Sequence, residues 1–433
     1  MSIAPPSPSP ARRAGPAQAV VLLIGSCASV LGSLLIAPVL PDLEKAFAST
    51  PGISTLAPLA MTLPALGIAL LGPVAGTVVD RFGRVRLLRW STAAYAVVGT
   101  APLWLDNLAG VLVSRALLGV VEAAVMTCCL TLLGDYFHGA VRDRYMSWHS
   151  VITSFGAVVF LMAGGALGAA GWRTPFWVYA LALPLLAFMV PLLREPERPV
   201  SPAQESGAVE PAGHGRTVRP LPWRRLSPML TLTLVGAALV FFVLQVQLGF
   251  VLDDLGVGSA AIGASAAIAN GGVMLTALLF VRFARHGAGR LLVAAFVLGP
   301  AGLIVMSVAD SWASVTVGAF LAGLGDGLML PSLLIGTTAQ LDFDQRGRGT
   351  AAWTSVFYLG QFFSPVIVAA LSAAAGGLSA ALQISAVGGL VTAVAAAVHA
   401  RRHPLHTSAE VEDGPSAPAG VDVVDGSKAA ETA

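Results

Sequence analysis

Residues 76–86 read Gly76-Thr77-Val78-Val79-Asp80-Arg81-Phe82-Gly83-Arg84-Val85-Arg86, a short burst of charge and glycine between two long apolar runs. A fainter copy stands 204 positions later: Arg81 falls on Arg285, Gly83 on Gly287 and Arg86 on Arg290, with Phe280 and Ala284 in place of Gly76 and Asp80. The same offset carries Gly119 onto Gly323, Glu122 onto Asp326, Arg142 and Arg144 onto Arg346 and Arg348, and Gly156 onto Gly360. A constant offset across several apolar segments predicts two similar halves with the same order of helices. Membrane transporters are often built this way, with the substrate held where the halves meet.

Composition points to the same solvent. The chain is 56% hydrophobic and only 11% charged, with a mean hydropathy of +0.78. Soluble domains carry roughly a quarter charged residues, and 433 residues of this composition could not hide their apolar surface from water. Lipid is the expected surroundings for most of the chain. The fold class predicted is therefore an all-α integral membrane protein.

The apolar runs divide into twelve spans near the ~20 residues that a crossing helix needs. They are placed at 17–40, 53–79, 86–105, 109–136, 144–169 and 174–193, then at 228–251, 257–283, 288–308, 312–340, 348–374 and 378–400. The domain organisation that follows is an N-terminal tail (1–16), a six-helix bundle (17–194), a linker (195–226), a second six-helix bundle (227–402) and a C-terminal tail (403–433). Pro, Ala, Ser, Gly and acidic residues dominate both tails, a composition that favours disorder. The first span is too long for a signal-peptide core and reads as a retained helix.

Positive charge orients the spans. Arg115 lies within one, and Lys45 and Arg173 fall in loops on one side; every other Lys and Arg lies in the tails, the linker or loops on the opposite side. That bias predicts a multi-pass protein of the cell membrane with both termini and the linker in the cytoplasm.

Several functions lack support. Lys45 and Lys428 are the only lysines, and neither follows a G-x-x-x-x-G-K-[ST] loop, so ATP hydrolysis of the Walker type is not expected. The seven histidines show no H-E-x-x-H pattern, and Cys27, Cys128 and Cys129 lie inside spans, where apolar packing is the default. No enzyme activity, cofactor, metal or nucleic-acid partner is expected. The sequence sets no oligomeric state, and a monomer is the default expectation.

The stretch 76–86 resembles the G-x-x-x-D-R-x-G-R-[RK] signature of the major facilitator superfamily, on the loop and the side where that family carries it. The resemblance spans about 17 to 400 and implies twelve helices in two six-helix pseudo-repeats. It also implies a cytoplasmic gate made of Gly76, Asp80, Arg81, Gly83, Arg84 and Arg86, with Asp135 as the acidic partner of Arg84. Physically, Gly76 allows close helix packing and Gly83 a tight turn. Asp80 is placed to face the positive N-terminus of the eleventh span near Arg346–Ala351.

The fourth span holds Arg115-Ala116-Leu117-Leu118-Gly119-Val120-Val121-Glu122-Ala123, similar to the family's R-x-x-x-G pattern. A charge at the bilayer centre costs at least about 2.5–3.5 kcal/mol, so Arg115 and Glu122 should face an interior cavity or each other. Seven residues apart, they share a helix face two turns from one another. Glu122 sits near the midplane and is the first candidate for reversible protonation; Asp326 occupies the equivalent place in the tenth span. Gln245, Gln247, Asn270, Trp353, Tyr358 and Gln361 are candidate cavity-lining residues, with Trp148 and His149 near the boundary. A mostly apolar cavity with few polar groups suits an amphipathic organic molecule.

The fifth span carries part of the glycine pattern of the family's drug:proton antiporters. Gly156, Gly164 and Gly165 are in register, while Ser147, Phe160 and Leu161 replace glycine, glycine and proline. The expected activity is proton-coupled efflux of a small amphipathic compound (a drug, antibiotic or secondary metabolite) by alternating access. The alternative is proton-coupled uptake of a small metabolite or organic anion, for which Arg115 would bind a carboxylate.

Overall fold

In a computed structural model of the chain, residues 15–196, 220–284, 287–342 and 345–402 are described. Both tails, most of the linker and Arg285 lie outside them, as do the side chains of Gly76 and Asp80. Among the described residues there is no strand.

The described residues form twelve helical segments in succession: α1 (Pro16–Ala46), α2 (Ile53–Phe82), α3 (Arg84–Thr100), α4 (Leu108–Tyr136), α5 (Gly139–Gly168), α6 (Thr174–Leu192), α7 (Trp223–Asp254), α8 (Ser259–Ala284), α9 (Ala288–Val308), α10 (Trp312–Thr338), α11 (Arg346–Ala375) and α12 (Leu378–Arg402). Eleven are long and apolar enough to cross a membrane. The exception is α3, predicted over 86–105. It has 17 residues before a 3-10 turn at Ala101–Leu103, and Arg84, Arg86 and Arg89 occupy its first turns. The other spans differ from the sequence expectation at their ends. The seventh begins at Trp223, inside the region assigned to the linker, because Trp223 and the residues after it already wind as helix.

Two of the segments are broken. A turn at Cys27 interrupts α1, which then passes through a 3-10 turn at Ala37–Val39. A π-helical turn at Ala237–Phe241 interrupts α7. Such turns are rare and cluster at functional positions.

The duplication read from sequence is present in the backbone. Gly83 joins α2 to α3 at φ +84°, and Gly287 joins α8 to α9 at φ +87°, a region that favours glycine. Inside each half, small residues bring helix axes together. A methyl on Gly119 of α4 would stand 2.6 Å from Pro64 Cα of α2, and one on Gly323 of α10 would meet the Ala269 carbonyl of α8. Without a hydrophobic drive between helices in lipid, this backbone-close packing is the main source of association.

The halves meet chiefly where α2 packs on α11 and α5 on α8, with α1 also lying against α7 and α8. At the α5–α8 crossing, a methyl on Gly165 would stand 2.6 Å from Ser259 O and 2.8 Å from Gly263 Cα. At the same end of the molecule, Lys45 Nζ donates to Asp253 Oδ1 at 2.5 Å, joining α1 to α7 across the halves. Beside that pair lies a cavity of about 630 Å³, lined by Glu44, Gln247 and Asp254 among others. We call this the lysine end; Arg84, Asp135 and the start of the linker lie at the opposite end.

Candidate functional site

Glu122 stands at the middle of α4 and Asp326 at the middle of α10, and both side chains are fully buried. Neither carboxylate has a hydrogen-bond partner among the described residues. A buried polar group without a partner costs free energy that a fold seldom leaves unrecovered, so such groups mark functional positions in membrane helices.

Glu122 presses on α1 at Gly32, in the short helical piece between its two breaks. A methyl on Gly32 would stand 2.5 Å from Glu122 Oε2, so only glycine leaves the carboxylate its space. Asp326 lies near α9, but there a methyl on Gly299 would stand at an ordinary 3.8 Å from Asp326 Oδ1 and meet Val240 of α7 first, at 2.6 Å.

Arg115 is also fully buried, but it is not paired with Glu122. Its Nη1 donates to Tyr179 Oη at 3.0 Å and its Nη2 to Gly99 O at 3.1 Å. The rings of Phe176 and Tyr179 flank the guanidinium, their centroids 5.0 and 5.1 Å from Cζ. The Tyr179 hydroxyl in turn donates to Gly32 O at 3.2 Å, and Tyr95 Oη donates to Ala28 O at 2.8 Å. Arg115 is therefore held inside its own half, between α3, α4 and α6. Sequence spacing left open a contact with Glu122 or a cavity wall. The guanidinium turns instead to the carbonyl and aromatic faces in reach, which satisfy a cation away from water.

The polar residues named from sequence separate into groups. Asn270 Nδ2 donates to Gln245 Oε1 at 3.2 Å, linking α8 to α7. Gln361 Nε2 donates to Ser33 Oγ at 3.2 Å, a buried bond between α11 and α1 across the two halves. Gln247 lines the cavity at the lysine end. Trp353 stacks on Phe357 with centroids 5.6 Å apart, and Tyr358 packs edge-on against the same ring. Trp148 is exposed and His149 half-buried on α5.

At the opposite end, Arg84 Nη1 forms an ion pair with Asp135 Oδ2, joining α3 to α4. Arg81 and Arg86 are exposed. Sequence reasoning missed Glu195, whose carboxylate accepts from the backbone N–H groups of Arg84 (2.5 Å) and Val85 (2.9 Å). It caps the open N-terminus of α3 from the chain beyond α6. The contact joins residues 111 positions apart, which no local pattern reveals. Tyr179, Gly32 and Ser33 were missed for the same reason: in an apolar span they look like packing. Among the described residues, no group of three or more His, Cys, Asp or Glu is placed to hold a metal ion.

Comparison with known proteins yields a consistent set. The profile of the Major Facilitator Superfamily matches residues 22–334 and 230–424. The chain is 26% identical over 381 residues to the class C tetracycline resistance protein of Escherichia coli, covering 82% of this chain and 90% of that one. It is 24% identical over 359 residues to the bacillibactin exporter of Bacillus subtilis, covering 79% and 86%. Among solved structures it resembles a bacterial homologue of the human lysosomal transporter Spinster, in an inward-facing and unoccupied conformation. The TM-score is 0.73 at 17% identity, over 89% of this chain and 96% of that one.

Proposed function

The chain belongs to the Major Facilitator Superfamily, and on that premise we propose that it exports a small amphipathic organic compound from the cell in exchange for protons. The observation that carries this reading is the pair of mid-helix carboxylates, Glu122 and Asp326, one in each half and neither with a hydrogen-bond partner among the described residues. Each binds and releases a proton as alternating access exposes it first to one side and then to the other. The names of two relatives, a resistance protein and an exporter, support the outward direction.

In this reading residues 17–194 and 227–402 form two bundles that rock about the central cavity in the cell membrane, with the termini and linker in the cytoplasm. Gln245, Asn270, Trp353, Tyr358 and Gln361 line the substrate route. The stretch containing Gly76, Asp80, Arg81, Gly83, Arg84 and Arg86, with Asp135, latches the cytoplasmic end, and Glu195 steadies the helix that carries Arg84. Lys45 and Asp253 with the α5–α8 glycines close the other end.

Uptake of an organic anion fits less well. A carboxylate substrate would use Arg115, whose Nη1 and Nη2 already donate to Tyr179 and Gly99 inside the N-terminal half and whose Nε is buried.

The test is expression in export-deficient cells against a panel of amphipathic drugs and metabolites. The expected result is resistance and lowered accumulation that collapse when the proton gradient is discharged. Accumulation raised by expression would reverse the direction, and full gradient-driven activity in both Glu122→Gln and Asp326→Asn would remove the carboxylates from the mechanism.

A further inference from the structure

At the opposite end from Lys45, α3 and α6 leave a recess of about 500 Å³ on the outer surface of the bundle. Its polar wall comes from Arg86, Arg89 and Glu195, and its apolar wall from Trp90, Leu186 and Val190. Arg86, Arg89 and Trp90 stand at helical spacing on one side of α3. Trp90 is 70% exposed and Val97, two turns deeper on the same face, 69% exposed, so this face looks out of the bundle.

The charges in the recess are unequally engaged. The Glu195 carboxylate already accepts from two amides at the start of α3. Arg89 Nη2 donates to the carbonyls of Val190 and Leu193 at 2.9 and 2.8 Å, which fixes the guanidinium at the mouth. Its Nε is buried without a partner among the described residues. Arg86 is exposed and makes no hydrogen bond or ion pair among them. The recess thus offers uncommitted positive charge on Arg86, an exposed indole one turn further along α3, and an apolar wall beside it. That sequence from charge to indole to alkyl matches a lipid from headgroup to chain.

The internal duplication supplies a control. The positions equivalent to Arg86, Arg89, Trp90 and Glu195 in the second half are Arg290, Val293, Ala294 and His399. One arginine is kept while the second arginine, the indole and the acid are replaced, so the recess is not a by-product of the repeated fold.

We infer that the recess between α3 and α6 is a binding site for one anionic phospholipid, its phosphate held by Arg86 and Arg89 and its chain lying along Trp90, Leu186 and Val190. The recess opens on the outer surface of the bundle, away from the residues proposed to line the substrate route; it shares Arg86 with the proposed latch and does not depend on the direction of transport.

The test is Trp fluorescence of the full chain reconstituted in phosphatidylcholine vesicles that contain a minor fraction of lipid brominated on its acyl chains. Brominated phosphatidylglycerol should quench more than brominated phosphatidylcholine, and the excess should vanish in Trp90→Phe. Arg86→Gln should lower the apparent affinity for the anionic lipid by about fivefold, the equivalent of about 1 kcal/mol per arginine at a lipid surface. Arg86→Gln with Arg89→Gln should lower it further, and Arg290→Gln should not change it. Equal quenching by the two lipids would overturn the assignment, as would an excess that survives Trp90→Phe or that falls equally in Arg290→Gln. Loss of the excess on adding inorganic phosphate at constant ionic strength would reassign the recess to a soluble anion. Should the double variant fail to fold, Arg86→Gln and Trp90→Phe decide the question, since neither residue makes a hydrogen bond inside the described structure.

Discussion

The two halves of the transporter hold their central acids in different company. Around Glu122 the N-terminal half gathers Arg115, Tyr95 and Tyr179; 204 positions later the C-terminal half has Ala319, Gly299 and Gln383, and Gln383 is exposed. The same contrast holds at the latch, where Arg84 and Asp135 correspond to Ala288 and Ala339. The backbone contacts, by comparison, are duplicated: Gly83 with Gly287 at positive φ, and Gly119 with Gly323 against a neighbouring helix. Duplication preserved what sets helix spacing and left the polar chemistry free to diverge. In the N-terminal half the acid sits beside a fixed cation and a broken α1, so a change at Glu122 has a route to Ser33 and, through Gln361, to the other half. Asp326 has no hydrogen-bond partner among the described residues through which such a relay could run.

The largest effect that would test this contrast is on transport. Glu122→Gln and Asp326→Asn should each reduce proton-driven efflux to background in vesicles with an imposed gradient. The purified variants should keep the parent's melting temperature, because neither carboxylate gives up a hydrogen bond among the described residues. A variant that melts early and transports normally would reverse the assignment of that acid from coupling to structure.

Packing offers the next comparison. A methyl on Gly67 would stand 2.6 Å from the Gly119 carbonyl carbon, whereas one on the equivalent Gly271 meets nothing within 4 Å. Gly67→Ala should therefore destabilise by about 1–3 kcal/mol, as overpacking does. Gly271→Ala should be neutral or stabilising by up to about 1 kcal/mol, the helix-propensity gain. Thermal melts in one detergent read both, and equal losses would mean that the halves pack alike there.

Tyr179 against Gln383 sharpens the polar side. Tyr179→Phe leaves one buried donor of Arg115 unpaired, for an expected loss of about 1–3 kcal/mol. Gln383 is exposed, and Gln383→Leu should stay within about 0.5 kcal/mol of the parent.

The smallest effect belongs to Arg84 and Asp135. Both side chains are about a quarter exposed, so a double-mutant cycle should give a coupling below about 1 kcal/mol. Their contribution should show instead in accessibility, with Arg84→Ala raising cysteine labelling of the cavity from the latch end. Unchanged labelling would confine the pair to joining α3 and α4.

The fold was readable because its signals are long. Runs of apolar residues mark spans without any knowledge of contacts, and a constant offset links distant landmarks such as Arg86 and Arg290. The one span that fell short, α3, begins with arginines that hydropathy counts against it. The positions of Glu122 and Asp326 at mid-helix were also readable, since a charge in an apolar run stands out. The partners of Arg115 were not: Gly99 is a carbonyl contribution that any residue could make, and Tyr179 lies 64 positions away in a span of similar residues. The Lys45–Asp253 bridge joins positions 208 apart, and only folding reveals which acid receives the lysine.

The α5–α8 crossing has a mechanical consequence. Gly165 and Gly263 meet backbone to backbone, so these two surfaces are smooth, with no side chains meshed between them at that point. Pulling meshed helices apart would strand methyl groups in water and demand rotamer changes; parting two bare ribbons asks for neither. In the proposed alternation a door hung on such a face would swing with little friction, and the ammonium–carboxylate clasp of Lys45 and Asp253 at the same end stands in reach of solvent salt.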